Sequence, residues 1–599
     1  MSAGKWVWVL TAALLMVSAV GCGDDGDVAD NAGDEANNDS PNNDNPNNDD
    51  PNNDGPNNDG PNNDTDADVT YHGQIAPMVA EHCGECHVEG GVGPFVLDSY
   101  DGLKMMGQAS LASIRSGSMP PWQPSADCQD YEGARLMGDD EIAAFERWVE
   151  LGMPAGEPDQ SAEPPPPPEP EETFDPTHTG IVSEPYLPKG DNPDDYRCFI
   201  LDLDFEDDMF MTASNVIPDA GALVHHVLVY AIEPEQLELI EEADAAEPGL
   251  GYTCFGAPFP SEGDLADQAS QGLPIQVGSW VPGGKPQIFP DDVSVRIRKG
   301  SKIVMQVHYN LLGNEPEGDA TDFQMQRTDQ PTARLASTRP LIVYSLDIPA
   351  GEPEAVNTRT YRNFSGKTLK IASVAAHMHL LGKRYKAHIN HEGGEEECLL
   401  EIPDWDFNWQ ENYSFVGGKT IDVAPGESIT LECVYDNSAA NQPVVNGEQI
   451  EPRNVSWGDG TLDEMCMVYM TFIEDYEPLP EDAGSCAPAT GCFEACEADQ
   501  TNPLDCMLSC DMPNTCKVCS LRSIIPCAAR DCLTPFLEVQ NSGCLEDCFI
   551  NTMMLGGDTT ACFRSECEPS YDALATCLEP IINAGSCDQG LADTCGIVR

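Results

Sequence analysis

The sequence predicts a multidomain chain: a small all-α domain, two all-β sandwiches and a Cys-rich helical C-terminal region. Three observations carry that expectation. Stretches rich in Pro, Asn, Asp and Glu interrupt the 599-residue chain twice. Between about residues 176 and 480, apolar runs such as RCFILDLDF, SKIVMQVHYNLL, TLKIASVAAHMHLLG and SITLECVYDN alternate with Gly, Pro, Asn and Asp. That spacing is one of antiparallel strands, not of βα units. Finally, 16 of the 25 cysteines lie beyond residue 480.

Residues 1–22, MSAGKWVWVLTAALLMVSAVGC, combine a lysine, an apolar run and small residues before Cys22. This is a signal peptide rather than a fold element. It resembles a bacterial lipoprotein signal, which implies lipidation of Cys22 and a place in the bacterial cell envelope, facing the periplasm or the cell surface. Ordinary cleavage beside a stray cysteine is the other reading. No other apolar run is long enough to span a membrane, so contact with the membrane is expected through the lipid anchor only. Residues 23–69, with PNND five times, cannot bury a core and read as a spacer. The 103 acidic against 29 basic residues, a formal charge of -74, exclude nucleic acid as a partner. The cysteine content fits an oxidising compartment.

Residues 70–157 contain CGECH, that is Cys83, Cys86 and His87. In this C-x-x-C-H pattern two thiols add to the porphyrin vinyls and the adjacent imidazole takes the iron. Met119, in RSGSMPPW, is the candidate second axial ligand, with a plain core methionine as its bland alternative. His82 is a further axial candidate of little weight. DDEIAAFERWVELGMP reads as a closing amphipathic helix. Together with GGVGPF, these features resemble a small cytochrome c domain, which implies haem c held by Cys83, Cys86, His87 and Met119. Within the Pro-rich linker 158–175, the stretch PDQSAEPPPPPEPEE spans on the order of 40 Å if extended, and is expected to act as a tether that lets the helical domain visit the β-rich region. Cys128 and Cys398 have no assigned partner.

Five of the 11 histidines fall in three β-rich stretches: His225 and His226 in VHHVLVY, His308 in MQVHYN, and His377 and His379 in AAHMHLLGKRY. Neighbouring strand residues point to opposite faces. Adjacent histidines therefore share a ligand only where the strand is distorted, whereas HMH puts both rings on one face. Imidazole with a thioether suits copper, and DEMCMVYM offers Met465. Singly, each histidine reads as a satisfied polar residue; jointly and in this order they read as ligands.

On HH, VHY, HxH and DEMC, roughly residues 185–475 resemble the copper type II ascorbate-dependent monooxygenases, the family of peptidylglycine α-hydroxylating and dopamine β-monooxygenases. The resemblance implies two jelly-roll-like sandwiches, 176–345 and 346–482, across an open, solvent-filled cleft. It implies two copper ions. His225, His226 and His308 would hold the electron-storing one. His377, His379 and Met465 would hold the one where oxygen binds and C–H hydroxylation occurs. Gln306 and Tyr469 match positions near the cleft, Tyr469 being grouped with the catalytic residues. Disulfides Cys198–Cys254 and Cys433–Cys466 are implied too. Ala375 stands where the peptide-hydroxylating enzymes carry an Arg for the substrate carboxylate, Met467 replaces a supporting Asn, and Ile232 replaces a Cys. A neutral or cationic small molecule is therefore expected as substrate, with O2. Electrons are expected through the fused haem, supplied by an upstream donor in the envelope, with ascorbate or another small reductant feeding the coppers directly as the competing source. The alternative is an envelope redox or copper-binding electron-transfer protein without hydroxylase turnover.

In 483–599, Cys492 and Cys496, Cys506 and Cys510, and Cys544 and Cys548 are each four apart, which places both sulfurs on one helix face. Such helices can be stapled as hairpins. Cys516 and Cys519 form a CxxC without any histidine in the region, so an all-Cys zinc site is the alternative to a disulfide scaffold.

Overall fold

The computed structural model describes residues 69–583 apart from 85, 89–92, 94, 158–173, 183, 190–193, 256, 261–273, 283, 312–315, 446–447, 459, 479–501, 503, 506–527, 529 and 558. Cys22, the PNND spacer, most of the Pro-rich linker, and Cys492, Cys496, Cys506, Cys510, Cys516 and Cys519 lie outside the described residues.

The N-terminal region is helical: α1 (Ala76–His82), α2 (Tyr100–Arg115) and α3 (Asp139–Glu150). Ser99 Oγ accepts the Gly102 amide at the start of α2, and Glu141 accepts the Gly138 amide at the start of α3. These contacts satisfy donors that a helix N-terminus leaves open. Leu103, Leu111 and Ile114 of α2 follow one another at steps of eight and three and share a face; they meet Phe145, Trp148 and Val149 of α3 in one buried cluster with Ile75 and Val79. The expected closing helix is α3.

The strands follow in chain order. The first group comprises β1 (His178–Ile181), β2 (Asp194–Leu201), β3 (Met209–Ile217), β4 (Val224–Ile232), β5 (Tyr252–Phe255), β6 (Ala257–Pro260), β7 (Ile275–Trp280), β8 (Gln287–Ile288), β9 (Val293–Ile297), β10 (Lys302–Asn310) and β11 (Asp322–Thr328). The second comprises β12 (Arg334–Ile342), β13 (Ala355–Arg362), β14 (Leu369–His377), β15 (Gly382–Asn390), β16 (Glu396–Ile402), β17 (Tyr413–Ser414), β18 (Ile421–Val423), β19 (Ser428–Tyr435), the small pair β20 (Val444–Val445) and β21 (Glu448–Gln449), and β22 (Met467–Asp475). Helix α4 (Leu237–Ala246) lies between β4 and β5.

A six-stranded sheet, β6-β5-β2-β10-β4-β7, and a four-stranded sheet, β13-β19-β15-β16, flank a ten-stranded sheet whose main path runs β1-β11-β3-β9-β12-β22-β14-β17. Two apolar cores result. One gathers Val227, Val229, Met305, Val307 and Phe323; the other gathers Ile371, Val374, Leu431, Val468 and Phe472. Strand β13 alternates buried and exposed positions, as an edge strand with one wet face should. Strand β10 is buried at seven consecutive positions because both of its faces are covered.

Two expectations about the architecture are corrected. Strand β12, inside the 176–345 boundary, pairs with β22 over nine residues and with β9 over only two. Hydrogen bonding therefore assigns it to the second sandwich and makes one continuous sheet of both. Second, the helical region is not held by its linker alone. Cys128 is disulfide-bonded to Cys398 of β16. Around that bond, Tyr131 pairs with Phe415, the Ser125 amide donates to Glu401 O at 2.7 Å, Tyr131 Oη donates to Leu399 O at 2.8 Å, and Gln123 bonds Asp406 and Trp409. A free tether is replaced by a docked segment.

At the other end, α5 (Leu533–Asn541), α6 (Cys544–Leu555), α7 (Thr559–Glu566) and α8 (Ser570–Asn583) are stapled by Cys532–Cys577, Cys544–Cys567 and Cys548–Cys562. The four-residue spacing on α6 does present both sulfurs to one partner segment. Asn551 of α6 bonds both the amide and the carbonyl of Arg362 on β13, and Met554 and Leu555 enter the second core. The hairpin covers part of an edge strand that would otherwise expose unpaired groups.

Candidate metal centre

His226 on β4 lies opposite His308 on β10, but the next pair is Tyr309 with Val224. His225 is the extra residue of a β-bulge. The bulge turns both adjacent rings to the same side, with centroids 5.1 and 4.8 Å from that of His308. Ligand nitrogens of all three lie within 4.8 Å of one another. His225 Nδ1 and His226 Nδ1 are 3.2 Å apart, close to the ~3.3 Å between tetrahedral ligands each about 2.0 Å from an ion. His308 Nδ1 is buried with no hydrogen-bond partner, while its Nε2 meets Asp194 at 2.9 Å. An orphaned imidazole nitrogen among two others fits a metal ligand set.

His377 ends β14 and His379 follows it, ring centroids 5.1 Å apart. His377 Nδ1 bonds Gln410 Oε1 at 2.5 Å, and His379 Nδ1 bonds the Asp463 carbonyl at 3.1 Å. Each acceptor fixes the proton on Nδ1 and leaves Nε2 with a lone pair for a ligand. Met465 is buried, its carbonyl takes the Tyr435 hydroxyl at 2.7 Å, and the next residue is locked in Cys433–Cys466. Glu464 accepts the His379 and Leu381 amides at 2.8 and 2.6 Å, and burial pushes its carboxyl up to about 8. Burial likewise holds His225 and His379 down at about 4 and His377 at about 3, with His226 and His308 well below the usual range. All five rings are therefore neutral at neutral pH. At the turn after HMH, a Cβ on Gly382 would meet Trp405 at 2.5 Å, which reserves the position for glycine.

The expected open cleft is corrected: the two sets do not face each other across one. His226 and His377 centroids are 6.0 Å apart, and Phe407 stacks on His225 at 4.4 Å. The shared sheet and the Asp194 contacts with Thr461 draw the sandwiches together. A cavity of ≈ 880 Å³ opens beside them, lined by His225, His226, His377, His379, Met465 and Tyr469, with Gln306, Ala375 and Met467 in its wall. Its charged lining is Glu132 and Glu411 against Arg135 and Lys285, a formal sum of zero. Arg135 comes from the docked loop between α2 and α3 and ion-pairs with Glu411, the neighbour of Gln410. The sequence reading missed Asp194, Phe407, Gln410, Glu464 and Arg135. Only the aromatic and amide density of DWDFNWQEN marked that loop in advance.

Residues 352–501 match the C-terminal domain of the copper type II ascorbate-dependent monooxygenases. The matched stretch contains His377, His379 and Met465. "DBH-like monooxygenase protein 1" of Gallus gallus is 22% identical over 280 residues, covering 42% of this chain and 40% of its own length. The chain thus spans well under half of that curated relative. The major capsid protein P2 of bacteriophage PM2 aligns over 50% of this chain and 98% of its own at TM-score 0.19 and 8% identity. The VP2 subviral particle of infectious bursal disease virus aligns over 53% and 85% at 0.13 and 11%. Likenesses at these scores carry no argument.

Cys198–Cys254 and Cys433–Cys466 are both formed. Cys83 and Cys86 are thiols, not half-cystines, and burial raises the Cys83 thiol to about 11. His87 is buried and bonds Phe95 O through Nδ1 at 2.9 Å, which turns its Nε2 away from that contact. Met119 follows α2, half-buried, its amide on Ser113 O. His82 is engaged by Glu141 at 3.2 Å.

Proposed function

We propose that the protein is a copper monooxygenase that hydroxylates a C–H bond of a neutral, largely apolar small molecule: R–H + O2 + two electrons + two protons gives R–OH + H2O. The observation that carries this reading is the gathering of His225, His226, His377, His379 and Met465 on one cavity, with His308 clustered beside the first two. His225, His226 and His308 would hold one copper, and His377, His379 and Met465 the other. Copper, when bound, supplies single-electron storage and the activation of oxygen. The residues do the rest. Asp194, Gln410 and the Asp463 carbonyl orient the imidazoles. Cys433–Cys466 and Tyr435 hold the Met465 backbone. Phe407 and the aromatic cavity wall (Tyr230, Phe259, Trp280, Tyr344, Trp457, Tyr469) limit water. Ala375 and Met467 offer a substrate carboxylate no partner, and burying one so costs several kcal/mol, roughly.

The helical region is read as a cytochrome: Cys83 and Cys86 would attach haem c covalently, with His87 and Met119 on its iron. Haem supplies one electron at a time. Ascorbate or another small reductant is the competing source. Cys22 lipidation would place the chain in the cell envelope. Among the described residues no helix is long and apolar enough to cross a membrane.

Metal analysis, followed by oxygen uptake across a panel of neutral aromatic and aliphatic compounds, tests the reading. Two coppers per chain and product formed one-to-one with oxygen are expected. Met465→Ala should abolish product while copper stays at His225, His226 and His308. A single zinc, or copper with no product-coupled oxygen uptake, sinks the monooxygenase. Haem removed by acid-acetone sinks the cytochrome.

A further inference from the structure

We propose that Asp194 is a positioning residue that fixes His308 as a ligand and ties it to the loop supporting the second histidine set. The metal-loaded part of this inference rests on the copper reading above; the tautomer part does not.

Asp194 Oδ1 lies 2.9 Å from His308 Nε2, and the two side chains are 13% and 2% exposed. A carboxylate only accepts, so Nε2 carries the hydrogen and Nδ1 keeps its lone pair. That Nδ1 is the atom left buried and unbonded, beside the paired Nδ1 atoms of His225 and His226. Tyr196, two residues along β2, stacks on the His308 ring at 3.9 Å and 8°, which prevents the ring from turning away. One carboxylate and one aromatic face therefore set both the tautomer and the orientation.

Asp194 also reaches the other sandwich. Its Oδ2 accepts the Thr461 amide at 3.0 Å, and Oδ1 takes the Thr461 hydroxyl. Two residues further on, the Asp463 carbonyl holds His379 Nδ1, and Glu464 holds the His379 amide. The path His308–Asp194–Thr461–Asp463–His379 is short and built of hydrogen bonds and a few residues of one loop. A carboxylate on the far nitrogen makes an imidazole a stronger donor and favours the more highly charged oxidised ion. The first site is thereby tuned toward Cu(II), relative to an imidazole without that partner.

The test uses the full-length protein. In copper-loaded Asp194→Asn, Cu(II) affinity at one site should fall about 10-fold relative to Cu(I), a rise of about 59 mV in its midpoint. The EPR signal of that copper should shift more than that of the other. Asp194→Glu should recover most of the change. Thr461→Val, which spares the Asp194–His308 contact, should leave that midpoint in place. An unchanged midpoint in Asp194→Asn, or equal shifts at both coppers, overturns the inference. Independently of metal, ¹⁵N NMR of the copper-free protein should show His308 as the Nε2–H tautomer, mixed in Asp194→Ala. An Nδ1–H tautomer in the unsubstituted protein overturns the inference even if copper binds. The expected tautomer in a chain that takes up no copper upholds the tautomer part and refutes the monooxygenase reading together with the metal-loaded part.

Discussion

Cys128, in the segment between α2 and α3, is joined to Cys398 on β16 across 270 residues of sequence. The bond closes the whole first sandwich into a loop and sets residues 121–135 against the second. Arg135 and Glu132 enter the cavity wall as a result. A helical domain on a proline-rich strap would sample many positions; this one is held where its chain can shape the site.

Replacing Cys128 and Cys398 together with Ser should lower stability by about 2–4 kcal/mol, read as the midpoint of denaturant unfolding. A protease site placed in 158–173 gives a sharper assay. Cut protein should stay one species on non-reducing gels and separate only after reduction. Separation without reductant would mean that the bond is absent.

Arg135→Met should leave Glu411 without its ion pair in the cavity wall and loosen the neighbouring Gln410 that holds His377. Copper affinity at His377, His379 and Met465 should fall about 10-fold, with the other set unchanged in the same Cu(I) competition titration. The double variant with Glu411→Met should recover part of the loss, a coupling of roughly 0.5–3 kcal/mol. Additive losses would show that the pair does not act as a unit.

Glu464→Leu orphans the His379 and Leu381 amides, at roughly 1–3 kcal/mol each. The acid also gives a pH signature in metal-free protein. Burial raises its folded pKa to about 8 from the ordinary 4.5. Between those values the folded state keeps a proton that the unfolded state has released. Its contribution is thus present at low pH and lost as pH rises through about 8. Glu464→Gln should flatten that part of the stability profile; an unaltered slope would assign it elsewhere.

Asn551→Ala removes two hydrogen bonds to Arg362, 2.8 Å to its amide and 2.7 Å to its carbonyl. A loss of roughly 1–3 kcal/mol is expected. Hydrogen exchange at the Arg362 amide should accelerate more than at the centre of β19. Equal protection would mean that the C-terminal hairpin only decorates the β13 edge.

Local patterns carried the rest of the design. The strand period, the two linkers and the clustering of cysteines determined a multidomain chain with helical ends and β-rich middle, because side-chain alternation, turn residues and helix-face spacing are written over a few neighbouring positions. The histidine pairs and Met465 stood out for the same reason: HH, HxH and DEMC are local words, and a distorted strand was expected where two adjacent histidines turn to one side, as the bulge at His225 does. What the sequence did not contain were relationships between segments distant in the chain. The Cys128–Cys398 bond, the assignment of β12 to the second sandwich, the 6.0 Å approach of His226 to His377, and the contacts of Arg135 and Asp194 all depend on which surfaces meet after folding. A carboxylate or guanidinium has no period and no fixed spacing to its partner. Its role was decided only when packing of the two cores brought the partner within hydrogen-bond reach and excluded the water that would otherwise have taken its place.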